Sequence, residues 1–196
     1  MRPEKKFEPH RGDDGLLDRA DYLDLAELDI VNWRSYRANN LLPYGPASDS
    51  PSWLIGEALP KIEEGWGDAR GWSGKAVLAE ILTKAFVTDY AMDRKRAIQI
   101  TCKVTRCAAK WREISETSAA IASGKWGPHD PNILFGEAKS KGDVVTVVGT
   151  LGEIAARYPN TSRLAVVSVT EAAALMRKRS REFDIPIRRF WQEDLD

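Results

Sequence analysis

The sequence lacks the features of several protein classes. Two cysteines, Cys102 and Cys107, occur among 196 residues, which is too few for a four-cysteine metal site or a disulfide framework. No apolar run approaches the ~20 residues that a membrane-spanning helix requires. The opening segment MRPEKKFEPHRGDDG also has no hydrophobic region typical of a secretory signal. These absences predict a reduced, cytoplasmic protein that does not contact a membrane.

The chain also lacks an excess of charge of either sign. Its 29 Lys and Arg residues balance 29 Asp and Glu residues, which excludes a uniformly basic nucleic-acid binder but permits a local basic patch. Segment 94–112 has seven bases and no acid. Apolar residues at alternating spacings of four and three predict one helix over 94–122. Four bases lie near one another on its outer side: Arg96, Lys103, Arg106 and Lys110.

This basic segment has two possible interpretations. A run of charges is often a solvated helix face, but seven bases without an acid also suit contact with the phosphate backbone of nucleic acid. We expect the four outer side chains to make such backbone contacts without reading bases.

The length suits one domain with an appended segment. Residues 1–70 form an accessory segment, rich in loops and partly helical, with a broken helix over 20–37. Residues 1–30 hold nine acids against five bases, and tryptophans follow, so this segment could contact a partner protein. The segment carries no motif that identifies such a partner. Residues 71–196 form the second unit.

Strand and helix patterns alternate in the second unit. Ser73 is placed to cap a helix whose apolar positions share one face. Strands are predicted over 132–140, 163–169 and 185–191. Helices are predicted over 144–157 and over 170–183, the latter capped by Thr170. Strands separated by helices predict parallel pairing and an α/β fold.

The segment ILFGEAKSKGD carries the chemistry. In a strand, Ile133, Phe135, Glu137 and Lys139 point to one face and the small residues between them to the other. A Glu and a Lys at the end of a buried strand are costly unless they are solvated or partnered. The alternatives are a salt-bridged pair and a metal centre. In a metal centre Glu137 binds Mg²⁺ through carboxylate oxygen, and Lys139 stabilises phosphate charge.

GEAKS at a strand end, followed by a helix ending in ARYP and then by RLAVVSV, resembles the PD-(D/E)xK nuclease superfamily over residues 73–195. The resemblance implies a restriction-endonuclease-like mixed sheet flanked by helices. It also implies phosphodiester hydrolysis with Mg²⁺ (or Mn²⁺), and many nucleases of this fold act as homodimers.

The resemblance requires a second carboxylate on the chain before the Glu. The nearest candidate is Asp130, which reaches Glu137 only if GPHD folds back as an irregular loop. Glu113, Glu116 and Asp143 are alternatives. Glu80 is similar to the helix carboxylate of the family, but its position off the apolar face predicts a surface residue.

The sequence therefore predicts a metal-dependent nuclease, acting on DNA, with Glu137, Lys139 and Asp130 at its centre. The alternative is a nuclease-like domain that does not cut and serves in nucleic-acid binding or protein assembly.

Overall fold

The computed structural model describes residues 17–44, 72, 74–105, 120–121, 124–125, 127 and 130–185. Within them, six helices accompany one three-stranded sheet. In chain order the elements are α1 (Arg19–Ala26), α2 (Ile30–Ala38), α3 (Gly74–Tyr90), α4 (Arg94–Thr105), β1 (Leu134–Ser140), β2 (Asp143–Gly149), α5 (Leu151–Arg157), β3 (Thr161–Ser168) and α6 (Val169–Glu182).

The broken helix predicted over 20–37 is confirmed as α1 and α2. Each helix begins at an aspartate whose carboxylate accepts a backbone hydrogen bond: Asp18 from the Asp21 N–H at 2.7 Å, and Asp29 from the Val31 N–H at 2.9 Å. Between them Glu27 takes a left-handed conformation, with φ of 53°, and ends α1.

Tryptophans join the N-terminal helices to α3. The buried rings of Trp33 and Trp72 lie with centroids 6.0 Å apart, and Tyr22 lies 5.3 Å from Trp72. Leu17 and Trp72 also exchange two backbone hydrogen bonds of 2.8 and 2.7 Å. These residues belong to one hydrophobic core with Phe135 of β1, so α1 and α2 pack on the core that supports the sheet.

The predicted strands over 132–140 and 163–169 are confirmed as β1 and β3 of one sheet. The helix predicted over 144–157 is wrong in its first half, because 143–149 is strand β2 and only 151–157 is helical. Lys141 and Gly142 both have positive φ, 52° and 93°, which suits a two-residue hairpin turn. Because of this turn, the β-branched residues that follow it pair with β1 as an antiparallel strand.

The predicted parallel pairing and mixed sheet are also wrong for the described strands. The strand order is β2-β1-β3, and both neighbours run antiparallel to β1. The cause is the hairpin: β2 reverses the chain before α5, so the crossover returns β3 opposite in direction to β1. The coarse α and β composition is confirmed, and the restriction-endonuclease-like fold stays a prediction.

The helix predicted over 170–183 is confirmed as α6, but its cap is Ser168. The Ser168 hydroxyl accepts from the Glu171 N–H at 2.9 Å, whereas Thr170 accepts from the Ile133 N–H at 3.0 Å and ties α6 to the start of β1. The helix predicted over 94–122 begins as α4. Its continuation through 106–119, the cap Ser73 and the strand predicted over 185–191 (beyond Ile185) lie outside the described residues.

Helices cover both faces of the sheet. Residues of α3, α4 and α6 share a core with Phe135, while Ile154 of α5 packs with Ala138 on the opposite face. None of the helices in the described part of the chain is long and apolar enough to cross a membrane.

Candidate functional site

Strand β1 divides its side chains between two cores, as its alternation predicts. Phe135 is fully buried, and its ring meets that of Phe86 edge to face at 5.7 Å. Ala138 is buried on the other face. Glu137 therefore lies on the Phe135 face, 7% exposed, and Lys139 follows on the same face where β1 reaches solvent.

Arg96 reaches Glu137 from α4. An Nη2 hydrogen of Arg96 is donated to Oε2 of Glu137, and the Arg96 side chain stays 41% exposed. In the register, Thr146 of β2 and Ala165 of β3 flank Glu137. The contact with Arg96 compensates the buried Glu137 carboxylate, which would otherwise be costly to desolvate. It also joins two site residues that are 41 positions apart in the chain.

Lys139 lies beside a second cation on the same face. Its register partners are Val144 of β2 and Arg163 of β3, and both Lys139 and Arg163 are exposed. Like charges opposite each other on neighbouring strands repel. With Arg96, these residues make the end of the sheet around Glu137 electropositive, which suits a phosphate group. We call Arg96, Glu137, Lys139 and Arg163 the sheet-end site.

Asp130 lies in the turn before β1. Its carboxylate accepts from the Gly127 N–H, and its own N–H donates to the Gly127 carbonyl at 3.1 Å. No contact in the described part of the chain joins Asp130 to Glu137. The extended chain from Leu134 onward carries Glu137 about 10 Å along the strand. An aspartate at position 130 is thus explained by its hydrogen bonds in this turn.

Among the alternatives to Asp130, Asp143 is an unsuitable partner for Glu137. Thr146 is the register partner of Glu137, and Asp143 lies three positions away on β2, so its side chain points to the opposite face. Glu113 and Glu116 lie outside the described residues. No group of three or more His, Cys, Asp or Glu in the described residues is arranged to hold a metal.

Of the four bases predicted to bind nucleic acid, Arg96 is the one whose side chain lies within the described part of the chain. Arg96 turns inward to Glu137. Lys103 lies on α4. Arg106 and Lys110 lie outside the described residues.

Glu80 is a buried residue, and the surface position predicted for it is wrong. Both its carboxylate oxygens accept from Arg94 Nη2, at 2.6 and 2.7 Å, and the residue has no exposed surface. Burial raises the pKa of Glu80, and the Arg94 charge opposes that rise. Helix α3 is buried on all sides at 76–82. Apolar residues on both sides of Glu80 were the signal that sequence reasoning missed.

Arg94 connects three parts of the fold. Besides Glu80, its Nε donates to the Leu41 carbonyl at 2.9 Å, and its guanidinium lies 3.6 Å from the centroid of the Tyr36 ring. Arg94 and Arg96 are two residues apart at the start of α4. Arg94 anchors α4 to α2 and α3, and Arg96 reaches the sheet-end site.

Comparison of the chain with known protein families, with curated proteins and with solved structures finds no match.

Proposed function

We propose that the chain is a metal-dependent nuclease that hydrolyses phosphodiester bonds in DNA, with Glu137 and Lys139 at its centre. The observation that carries the proposal is their placement: a buried carboxylate and an exposed ammonium, two residues apart on one face of the central strand. Arg96 and Arg163 beside them supply positive charge for a phosphodiester. The resemblance of GEAKS and the following elements to PD-(D/E)xK nucleases adds support.

The residues at the sheet-end site fit a divalent cation in part. Mg²⁺ is bound in proteins by one or two carboxylates together with substrate phosphate and water. Glu137 would supply one oxygen ligand once Arg96 moves off the carboxylate. Asp130 would serve as a second ligand only if its contact with Gly127 is broken. The described donor set therefore suits Mg²⁺ or Mn²⁺ only together with a bound phosphate.

Each side chain has a role in this proposal. A bound divalent cation supplies a Lewis acid and lowers the pKa of attacking water. Glu137 would hold the cation, Lys139 would stabilise the negative charge that develops on the phosphate, and Arg163 would orient the backbone. Arg96, with its 41% exposed side chain, would transfer from Glu137 to the incoming phosphate.

The decisive assay is cleavage of plasmid and single-stranded DNA with Mg²⁺ or Mn²⁺. Glu137→Gln keeps the shape but removes the charge, so we expect cleavage and cation binding to be lost. Lys139→Ala should retain cation binding and lose turnover. Glu182→Gln, an exposed change on α6, is the matched control. Cleavage by Glu137→Gln at the wild-type rate would refute the site.

A second candidate function is a nuclease-like domain that binds nucleic acid without cutting. The contact of Arg96 with Glu137 favours it, because this carboxylate already has a cationic partner. Arg96→Ala separates the two functions. In the nuclease it removes a competitor of the cation and should tighten Mg²⁺ binding. In the binding module it removes a phosphate contact, so DNA affinity should fall with no Mg²⁺ response and no cleavage by wild type.

A further inference from the structure

A basic pocket lies away from the sheet-end site, between α6 and the chain that precedes β1. Its volume is about 480 Å³, within the range of ligand-binding clefts. Arg177, Lys178 and Arg181 line one side, and Ile121 and Gly127 line another. Arg181 lies one helical turn after both Arg177 and Lys178, at spacings of four and three residues, so the three side chains fall within an arc of about 100°. We call this cavity the α6 pocket.

The bases of the α6 pocket differ from the other arginine on this stretch of helix. Arg179 faces away and is held at 2.8 Å by Glu27 and at 3.0 Å by the Asp24 carbonyl. Arg177, Lys178 and Arg181 form no ion pair with any described residue, unlike Arg179, although the buried Nε atoms of both Arg177 and Arg179 have no hydrogen-bond partner among those residues. A favourable interaction with the helix dipole explains bases near the end of α6. It does not explain their convergence on a cavity.

Other groups at the pocket complement an anion. The Thr170 hydroxyl lines the cavity and accepts from the Ile133 N–H, so its own proton is available for donation. The Asp130 carboxylate lies next to the pocket at Gly127, where it is already engaged by the Gly127 N–H. Among the described residues, the pocket thus has one carboxylate beside three bases, which is an excess of positive charge. Three like charges within two turns repel one another, and an oxyanion would relieve that repulsion.

We infer that the α6 pocket binds a phosphate group, through Arg177, Lys178 and Arg181. Guanidinium groups bind phosphate oxygens in a bidentate manner, and lysine adds a point charge. The phosphate could belong to a nucleic-acid backbone or be free inorganic phosphate. The site lies at the start of β1, whereas the sheet-end site lies toward its other end. This inference does not require cleavage at Glu137.

The test uses the full chain and a double variant, Lys178→Gln with Arg181→Gln. Both side chains are exposed, so the fold should survive the change. The matched control is Arg34→Gln with Lys141→Gln, two exposed bases outside the pocket. Binding of inorganic phosphate is measured by calorimetry, and binding of a 20-base-pair DNA duplex is measured by fluorescence anisotropy over a salt series.

We expect the double variant to bind phosphate at least tenfold more weakly than wild type, with no such loss in the control. If the phosphate is that of a DNA backbone, free phosphate competes with the duplex, and the log–log salt slope of the variant falls by about 1.8, or about 0.9 for each lost contact. If it is free phosphate, duplex binding is unchanged. Wild-type phosphate affinity in the double variant, or no phosphate binding by wild type, overturns the inference.

Discussion

The buried ion pair between Glu80 and Arg94 supports a quantitative prediction. Arg94→Met keeps most of the side-chain volume but leaves the Glu80 carboxylate buried without the Nη2 group from which both its oxygens accept. Removing one partner of a buried pair costs about 3–5 kcal/mol. The variant also loses the Leu41 hydrogen bond and the Tyr36 stacking. At about 2–4 °C per kcal/mol for a chain of this size, the melting temperature should fall by roughly 6–20 °C.

The loss of stability in Arg94→Met should grow as the pH rises. Burial raises the pKa of Glu80 and Arg94 opposes the rise, so removing Arg94 raises this pKa further. Between the unfolded pKa, near 4.5, and the raised folded pKa, the folded state binds more protons than the unfolded state. Its stability therefore falls as pH rises through that window. The difference between Arg94→Met and wild type should be larger at pH 8 than at pH 5.

The assay is urea unfolding followed by tryptophan fluorescence, because Trp33 and Trp72 report on the core that α3 shares. Lys84→Gln provides a control on the same helix. Lys84 pairs with Glu27 at 3.1 Å, both side chains are 40% or more exposed, and screening should keep its effect below about 1 kcal/mol. Glu80→Leu combined with Arg94→Met should be less destabilised than Arg94→Met alone. A loss under 1 kcal/mol, or one independent of pH, would refute the reasoning.

Two further predictions concern the sheet. A Cβ on Gly136 would lie 2.0 Å from the Ala165 carbonyl oxygen, so Gly136→Ala should cost at least the ~1–3 kcal/mol of an overpacked core. A Cβ on Gly152 would meet open space, so Gly152→Ala should stabilise α5 by about 0.5–1 kcal/mol. Thermal melts that show equal effects of the two substitutions would contradict this. The Tyr90 hydroxyl donates to the Val166 carbonyl at 2.7 Å and accepts from the Val166 N–H at 3.0 Å on the outer side of β3. Tyr90→Phe should cost about 1–3 kcal/mol for these two bonds, and faster hydrogen exchange at Val166 should be measurable; unchanged exchange would show that this contact does not protect the strand.

The sequence by itself determined the elements whose local signals agree. Alternation of apolar and small residues predicted β1 and placed Phe135 and Glu137 on one face, and helical spacing predicted α6. The spacing of apolar residues predicted a broken helix over 20–37, and the structure adds that Asp18 and Asp29 begin its two halves, because a carboxylate satisfies the free N–H groups of a helix terminus. These features depend on neighbours within four residues, which a sequence displays directly.

The tertiary structure alone decided the pairings. The run VVTVV after Asp143 is compatible with helix or strand, and it became β2 because the Lys141–Gly142 turn returned it to β1. The same reversal made β3 antiparallel. The contacts of Glu80 with Arg94 and of Glu137 with Arg96 join residues 14 and 41 positions apart. No local pattern specifies such contacts, because they form only where packing buries a carboxylate and a cation is within reach to compensate it.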